Sequence, residues 1–316
     1  MDFEALKEYL ETHDNYLILT HKSPDGDTLG AGFGLCGYLR DAGKKANVLN
    51  SESFPLRYKF LYEGYYVEEF EPQSVIAVDI ADTQLLGSHL AAFAEEGAID
   101  VCIDHHISNK FYAGQSYVDG SASATCLILY QFFKYIGYEM SNQVAKCLYT
   151  GISTDTGCFK YENTTPQAHL AAAELMGYDI EFASINRKMF DVKSKGRLIA
   201  EKKAIEEMEY FFDDRCAIIV LTTEMMNSCG VEQAEFEGMA SIPLSTEGVE
   251  IGITIKQRHA DVFKLSVRTT EEIDASAFCK RFNGGGHIRA AGCEIQGTLE
   301  QVKAKVLNEV REVLGC

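Results

Sequence analysis

Lysine and arginine are scarce in this chain: 29 of them stand against 47 Asp and Glu in 316 residues, a formal net charge of −18. Proteins that grip long DNA or RNA draw most of their affinity from basic side chains on phosphates. No basic stripe is present, which argues against a processive nuclease on long strands but leaves room for a short or small phosphorylated substrate. Long apolar runs are also missing, and none reaches the ~18–20 residues that span a bilayer. The opening MDFEALKEYLETHDNYL is acidic and amphipathic, without the basic start and apolar centre of a secretory signal. The expectation is a cytoplasmic protein with no membrane partner. Only 5 Pro occur, and there is no internal repeat or low-complexity segment, so the chain is globular and long enough for two ordinary domains. The 10 Cys form no C-x-x-C pair, which argues against a disulfide framework or a zinc knuckle. Most lie in apolar surroundings, where reduced Cys acts as a small hydrophobe.

The first half alternates apolar strands with helical patterns. Strands are expected at 15–21 (NYLILTH), 45–50 (KANVLN), 74–82 (SVIAVDIAD) and 98–106 (AIDVCIDHH). A small-residue helix follows the first strand and ends at Gly43. Further helices are expected at 122–137 and 142–154, with another opened by Thr165-Pro166, where Pro suits the first turn. This alternation predicts an α/β fold with a parallel sheet covered by helices on both faces. Ligands of such sheets sit beyond the carboxyl ends of the strands. The charged stretch 191–212 reads as a connecting helix between a domain at 1–190 and a smaller α/β domain at 213–316. In the latter, CAIIVLT, VEIGITIKQR and VFKLSVRTT are strands, the last two antiparallel. FNGGGHIRAAG reads as a glycine-rich loop running into a small-residue helix, and an amphipathic helix closes the chain.

Six side chains in four short segments stand out: His21, Asp25 and Asp27 in THKSPDGD, Asp79 in VIAVDIAD, His105 in CIDHHISN and Asp155 in GISTDTG. His106 stands beside them. Each segment alone is ordinary turn or cap chemistry. Together, in this order and near strand ends, they form the imidazole and carboxylate set that two divalent cations need. Asp25 and Asp27, one residue apart in a turn, point in different directions and serve different ions. Asp79 is placed to bridge them. Two ions a few ångströms apart (~3.5–4 Å) clamp a phosphate and activate water. Mixed carboxylate and imidazole ligands suit Mn²⁺ best, with Mg²⁺, Co²⁺ or Fe²⁺ as rivals. These residues read as a two-metal phosphoester hydrolase.

These segments resemble the DHH phosphoesterase superfamily, and GGGHIRAAG resembles the signature loop of its DHH-associated C-terminal domain. The resemblance covers nearly the whole chain. It implies that His21, Asp25 and Asp79 hold one metal and that Asp27, Asp79, His105 and Asp155 hold the other. It further implies that His106 meets the scissile phosphate or the leaving group, and that Asp104 orients His105. Length and layout are most similar to bacterial members that hydrolyse short oligoribonucleotides (nanoRNA) and pAp. A cyclic-di-AMP or pApA phosphodiesterase shares this architecture. A RecJ-like single-strand exonuclease has both domains but a basic channel, and a pyrophosphatase of the superfamily lacks the GGGH domain. The alternative outside enzymes is a nucleotide-binding regulator that keeps its metals.

In the second half, Gly284, Gly285 and Gly286 offer exposed backbone N–H groups and close approach for an anion. His287 follows them, placed to contact a phosphate or stack on a base. Arg258 and Arg268, on neighbouring strands, match phosphate with a planar fork of donors, while Arg281 and Arg289 are weaker candidates. Ser123, Ala124 and Thr125 open a helix whose free N–H groups suit a phosphate, although capping explains them equally well. A homodimer is expected from exposed apolar helices in the first half.

Overall fold

Alternation along the early strands sends side chains to two faces of one sheet. In β1 (Tyr16–Leu19), Tyr16 and Ile18 enter one core while Leu17 and Leu19 enter another. β3 (Ser74–Val78) repeats the division, with Ile76 and Val78 on the first face and Val75 and Ala77 on the second. With β2 (Ala46–Leu49), β4 (Val101–Asp104) and β5 (Gln115–Val118) they form a five-stranded parallel sheet of order β2-β1-β3-β4-β5. The computed structural model describes residues 1–316 apart from 232–234, 237 and 271.

The first core lies under α1 (Phe3–Thr12), α2 (Gly26–Asp41), α3 (Thr125–Tyr135), α4 (Asn142–Asp155), α5 (Pro166–Leu175) and the short α6 (Phe182–Asn186). α2 presses closely on α4: a Cβ at Gly30 would stand 2.5 Å from the Cys147 carbonyl oxygen, so only glycine fits that crossing. The second face is covered more thinly, by 3₁₀ segments at Thr83–Leu86 and Ser88–Ala94 that bury Leu86 and Leu90. Both faces are thus helical, but α-helices line only one of them. The sequence does not announce β5 as a strand. Its QSYV run is only half-buried and lies at the sheet edge, so apolar alternation gives no signal there.

The chain divides into two compact units, Met1–Val192 and Lys193–Cys316. The stretch around 191–212 is not a single helix. Arg187–Asp191 makes a π-helical turn, Lys195–Glu206 is α7, and Glu209–Phe211 is strand β6. α7 buries Ala200 and Ala204 against Ile219 and Leu221 within the second unit.

The second unit holds β7 (Cys216–Leu221), α8 (Thr223–Cys229), β8 (Ile251–His259), β9 (Val262–Thr269), α9 (Ala275–Lys280), β10 (Gly285–Gly286), β11 (Ala290–Gln296) and α10 (Leu299–Leu314). Its six-stranded mixed sheet runs β10-β11-β9-β8-β7-β6. β8 and β9 are antiparallel, and β7 lies parallel to β8. α10 buries Val302, Val306, Val310 and Leu314, the one-face spacing its amphipathic pattern predicts. The glycine-rich segment corrects the reading above: it does not lead into a helix. Gly285 and Gly286 pair with Gly292 and Ala291 in a tight hairpin, and Ala290–Gln296 is a strand against β9. Small residues are needed here for backbone approach, since a Cβ on Gly284 would fall 2.3 Å from the Gly292 carbonyl oxygen. Among the described residues no helix is long and apolar enough to cross a membrane.

Candidate metal centre

The β1–α2 loop supplies three of the six side chains. Asp25 caps α2, its carboxylate accepting from the Asp27 and Thr28 N–H groups at 3.0 and 3.1 Å. Asp27, the second residue of α2, is fully buried and reaches across the fold to cap α3. It accepts from the Thr125 N–H at 2.6 Å and the Cys126 N–H at 2.9 Å. The helix start at Ser123–Thr125 therefore gives its free donors to a protein carboxylate, which leaves none of that pair for a phosphate. The Thr125 hydroxyl donates to Asp79 Oδ1 at 2.9 Å. Asp79 follows β3 with φ of 60°, a left-handed conformation uncommon outside glycine that marks strained positions at functional sites.

Two backbone carbonyls fix the imidazole tautomers. His21 Nδ1 lies 2.8 Å from the Lys22 carbonyl oxygen, and His105 Nδ1 lies 3.1 Å from that of Ala122. A carbonyl only accepts, so Nδ1 carries the hydrogen in each neutral ring and Nε2 presents its lone pair inward. His21 Nε2 stands 3.7 Å from Asp25 Oδ1 and 3.5 Å from Asp79 Oδ2. His105 Nε2 stands 3.6 Å from Asp79 Oδ1, 4.0 Å from Asp27 Oδ2 and 3.4 Å from Asp155 Oδ2. The two oxygens of Asp79 thus face different imidazoles. Asp155 arrives from the last residue of α4.

Three donor groups result, each compact enough to surround one ion: His21, Asp25 and Asp79; Asp27, His105 and Asp155; and Asp79, His105 and His106. All six sequence-derived ligand candidates come together here. Buried carboxylates of like charge raise one another's pKa. Burial and the Asp79 charge push Asp27 up to about 7, and burial with the charges of Asp27, Asp79 and Asp25 pushes Asp155 up to about 9. Burial opposes a charged His21, yet Asp25 and Asp79 outweigh it and hold its pKa at about 11. This is an excess of negative charge of the kind divalent cations relieve, and the mixed oxygen and imidazole donors fit such ions.

Asp104 is buried at the end of β4 and organises the next two residues. Its Oδ1 accepts from the His105 N–H (2.9 Å), the His106 N–H (3.3 Å) and His106 Nδ1 (2.7 Å). Its Oδ2 accepts from Asn109 Nδ2 at 2.6 Å. Burial works against the anion, but the bonds from His106 and Asn109 prevail and hold its pKa below the usual value. The sequence gives little sign of Asn109. Its only signal was a polar side chain in the turn after the two His, and its bond to a buried carboxylate is visible only in the fold. His106, Asp79 and Asp155 line an open cavity of about 320 Å³ with Lys22 and Ser23.

In the second unit, Arg268 lies opposite Ala290, beside the hairpin that carries the exposed His287. Arg258 does not join them. Arg268 pairs with Gly252, six residues back along β8 from Arg258, which at strand rise is roughly 20 Å. Arg258 instead lines a small cavity with Lys256 and Phe236. Arg281 is bound to Glu309 and Glu312, and Arg289 donates to the Thr270 and Ile273 carbonyls. Both therefore have structural partners.

The model of the DHH family N-terminal domain matches residues 15–152, and that of the DHHA1 domain matches 217–315. A Thermus thermophilus protein, the bifunctional oligoribonuclease and PAP phosphatase NrnA, is 30% identical over 302 residues, covering 94% of this chain and 89% of that one. The chain belongs to the DHH family. A second relative of this DHH protein, the probable NrnA of Streptococcus mutans, is 27% identical over 294 residues, covering 92% of each chain. Among solved structures, an exopolyphosphatase-related protein from Bacteroides fragilis superposes with a TM-score of 0.88 at 25% identity, covering 98% of this chain and 95% of that chain.

Proposed function

We propose that this DHH protein is a two-metal phosphoesterase that hydrolyses short oligoribonucleotides and pAp. One observation carries the reading: the two oxygens of Asp79 face two imidazoles, each with Nδ1 tied to a carbonyl and Nε2 turned toward the carboxylates. His21, Asp25 and Asp79 would hold one ion; Asp27, Asp79, His105 and Asp155 would hold the other. Mn²⁺ suits these donors, with Mg²⁺ or Co²⁺ as substitutes. When bound, such a pair supplies activated water and Lewis-acid stabilisation of the phosphoryl oxygens.

The chain's own part is proton placement and orientation. Asp104 holds His106 through Nδ1, so the imidazolium proton at Nε2 is the one free to move to the departing oxygen. The Asp104 bond outweighs burial and keeps the His106 pKa above its usual value, so the ring is ready as an acid. Arg268, Gly284–Gly286 and His287 would hold the uncleaved part of the substrate. Arg258, at the far end of its strand, is given no contact with the same group. All 10 cysteines are free, which suits a reducing cytoplasmic setting, and a second copy of the chain is the expected protein partner.

The test is Mn²⁺-dependent release of phosphate or mononucleotide, abolished by EDTA. The panel is pAp, pApA, cyclic-di-AMP, a short RNA, a long single-stranded DNA and pyrophosphate. Cleavage of pAp and short RNA above the others is expected. Preference for pApA or cyclic-di-AMP would move the reading to second-messenger turnover. Metal binding without turnover of any member would refute an enzyme and leave a nucleotide-binding regulator.

A further inference from the structure

Lys22 is the one residue lining the 320 Å³ cavity that brings a permanent cation. Four carboxylates, those of Asp25, Asp27, Asp79 and Asp155, belong to the donor groups at or beneath it. Three of them, Asp25, Asp79 and Asp155, line the same cavity. Its side chain is exposed, and among the described residues its ammonium makes no hydrogen bond or ion pair. Its backbone, by contrast, is fixed on both sides. The N–H donates to the Leu85 carbonyl at 2.7 Å, and the carbonyl accepts from His21 Nδ1. The side chain is thus rooted at a fixed point on the cavity wall, while its ammonium stays free of the acids around it.

Charge accounting says what it would meet. Four carboxylates formally balance two divalent ions, so a loaded site has no net charge to spare. A substrate with a second phosphate brings further negative charge into the cavity, and a charge-assisted bond to an ammonium answers it. Resting on the phosphoesterase reading above, we propose that Lys22 binds the substrate's second, uncleaved phosphate and so selects bisphosphorylated over monophosphorylated substrates. It is a specificity residue, not a ligand of either ion. Its reach is one flexible four-carbon stem from the donor cluster, so the phosphate it meets lies about one sugar away from the one attacked. pAp and 5′-phosphorylated dinucleotides have that spacing.

The test compares wild type with Lys22→Gln and Lys22→Arg on two substrate pairs: pAp against 3′-AMP, and pApA against ApA. Wild type is expected to prefer the 5′-phosphorylated member of each pair. Lys22→Gln is expected to raise KM for that member about tenfold to a hundredfold, the span of one hydrogen bond to a charged group. The member without the 5′-phosphate should change little, Lys22→Arg should recover part of the preference, and Mn²⁺ affinity by calorimetry should not weaken. Equal losses on both members would place Lys22 at the attacked phosphate and overturn the proposal. So would no loss, weakened Mn²⁺ binding, or a wild type that does not discriminate. Equilibrium binding of pAp and 3′-AMP to the metal-loaded protein reads the same contact without turnover. If the wild type cleaves none of the four, the hydrolase reading fails, while a selective loss of pAp binding in Lys22→Gln would still uphold the contact.

Discussion

Replacing Asp27 by Asn should make the metal-free protein more stable above neutrality, although a proposed metal ligand is removed. The carboxylate is fully buried, and its pKa rises from 3.8 to about 7 through burial and the Asp79 charge. The folded state therefore binds a proton that the unfolded chain has released between these values. Stability from this group is greatest near pH 4 and declines as pH rises through about 7. Asp155, raised to about 9, extends the decline. His21, raised to about 11, has the same sign above its unfolded value, because its folded form keeps a proton longer. A rise of about three units corresponds to roughly 4 kcal/mol. The repulsion is shared with Asp79 and Asp155, so relieving one member should recover about 1–2 kcal/mol. Asn copies the protonated acid, including one acceptor for the α3 N–H groups. In urea unfolding with EDTA, Asp27→Asn should exceed wild type by that amount at pH 8 and by less than half of it at pH 5. Mn²⁺ at a hundred times its Kd should stabilise wild type by about 2.7 kcal/mol per site and the variant far less. A variant weaker than wild type at pH 8, or one stabilised equally by Mn²⁺, would refute the reasoning.

Two further outcomes follow from single contacts. Asp104→Asn keeps the shape but loses the anion that orients His106. kcat should fall about 10–100-fold while Mn²⁺ affinity stays within a few-fold, as read by steady-state kinetics beside calorimetry, and parallel losses in both would contradict this role. Gly284→Ala forces a methyl against the Gly292 carbonyl and Cys293. It should open the hairpin at a cost of about 1–3 kcal/mol, lowering Tm and raising KM more than it lowers kcat.

The acids and imidazoles were legible because they follow apolar strands, and strand ends of a parallel sheet converge. Their neighbours were not. Asp27 meets the α3 donors across 98 residues, and the Ala122 carbonyl that fixes His105 has no side chain to announce it. The AAG after the GGGH reads as helix because Ala favours helix in isolation, whereas here the small residues let three strands approach closely. Arg258 and Arg268 looked like partners on adjacent strands, but the register of β8 and β9 separates them, and register cannot be read from either strand alone.

The capping of α3 by Asp27 bears on the order of folding. The donors run from His21 to Asp155, and the contact that seats Asp27 closes a loop of about a hundred residues, an entropically costly step. Early local pieces such as the β1–α2 turn can present Asp25 and His21 but not the second cluster. Metal capture at full strength thus belongs to the end of assembly of the first unit, where it locks a finished topology rather than seeding one.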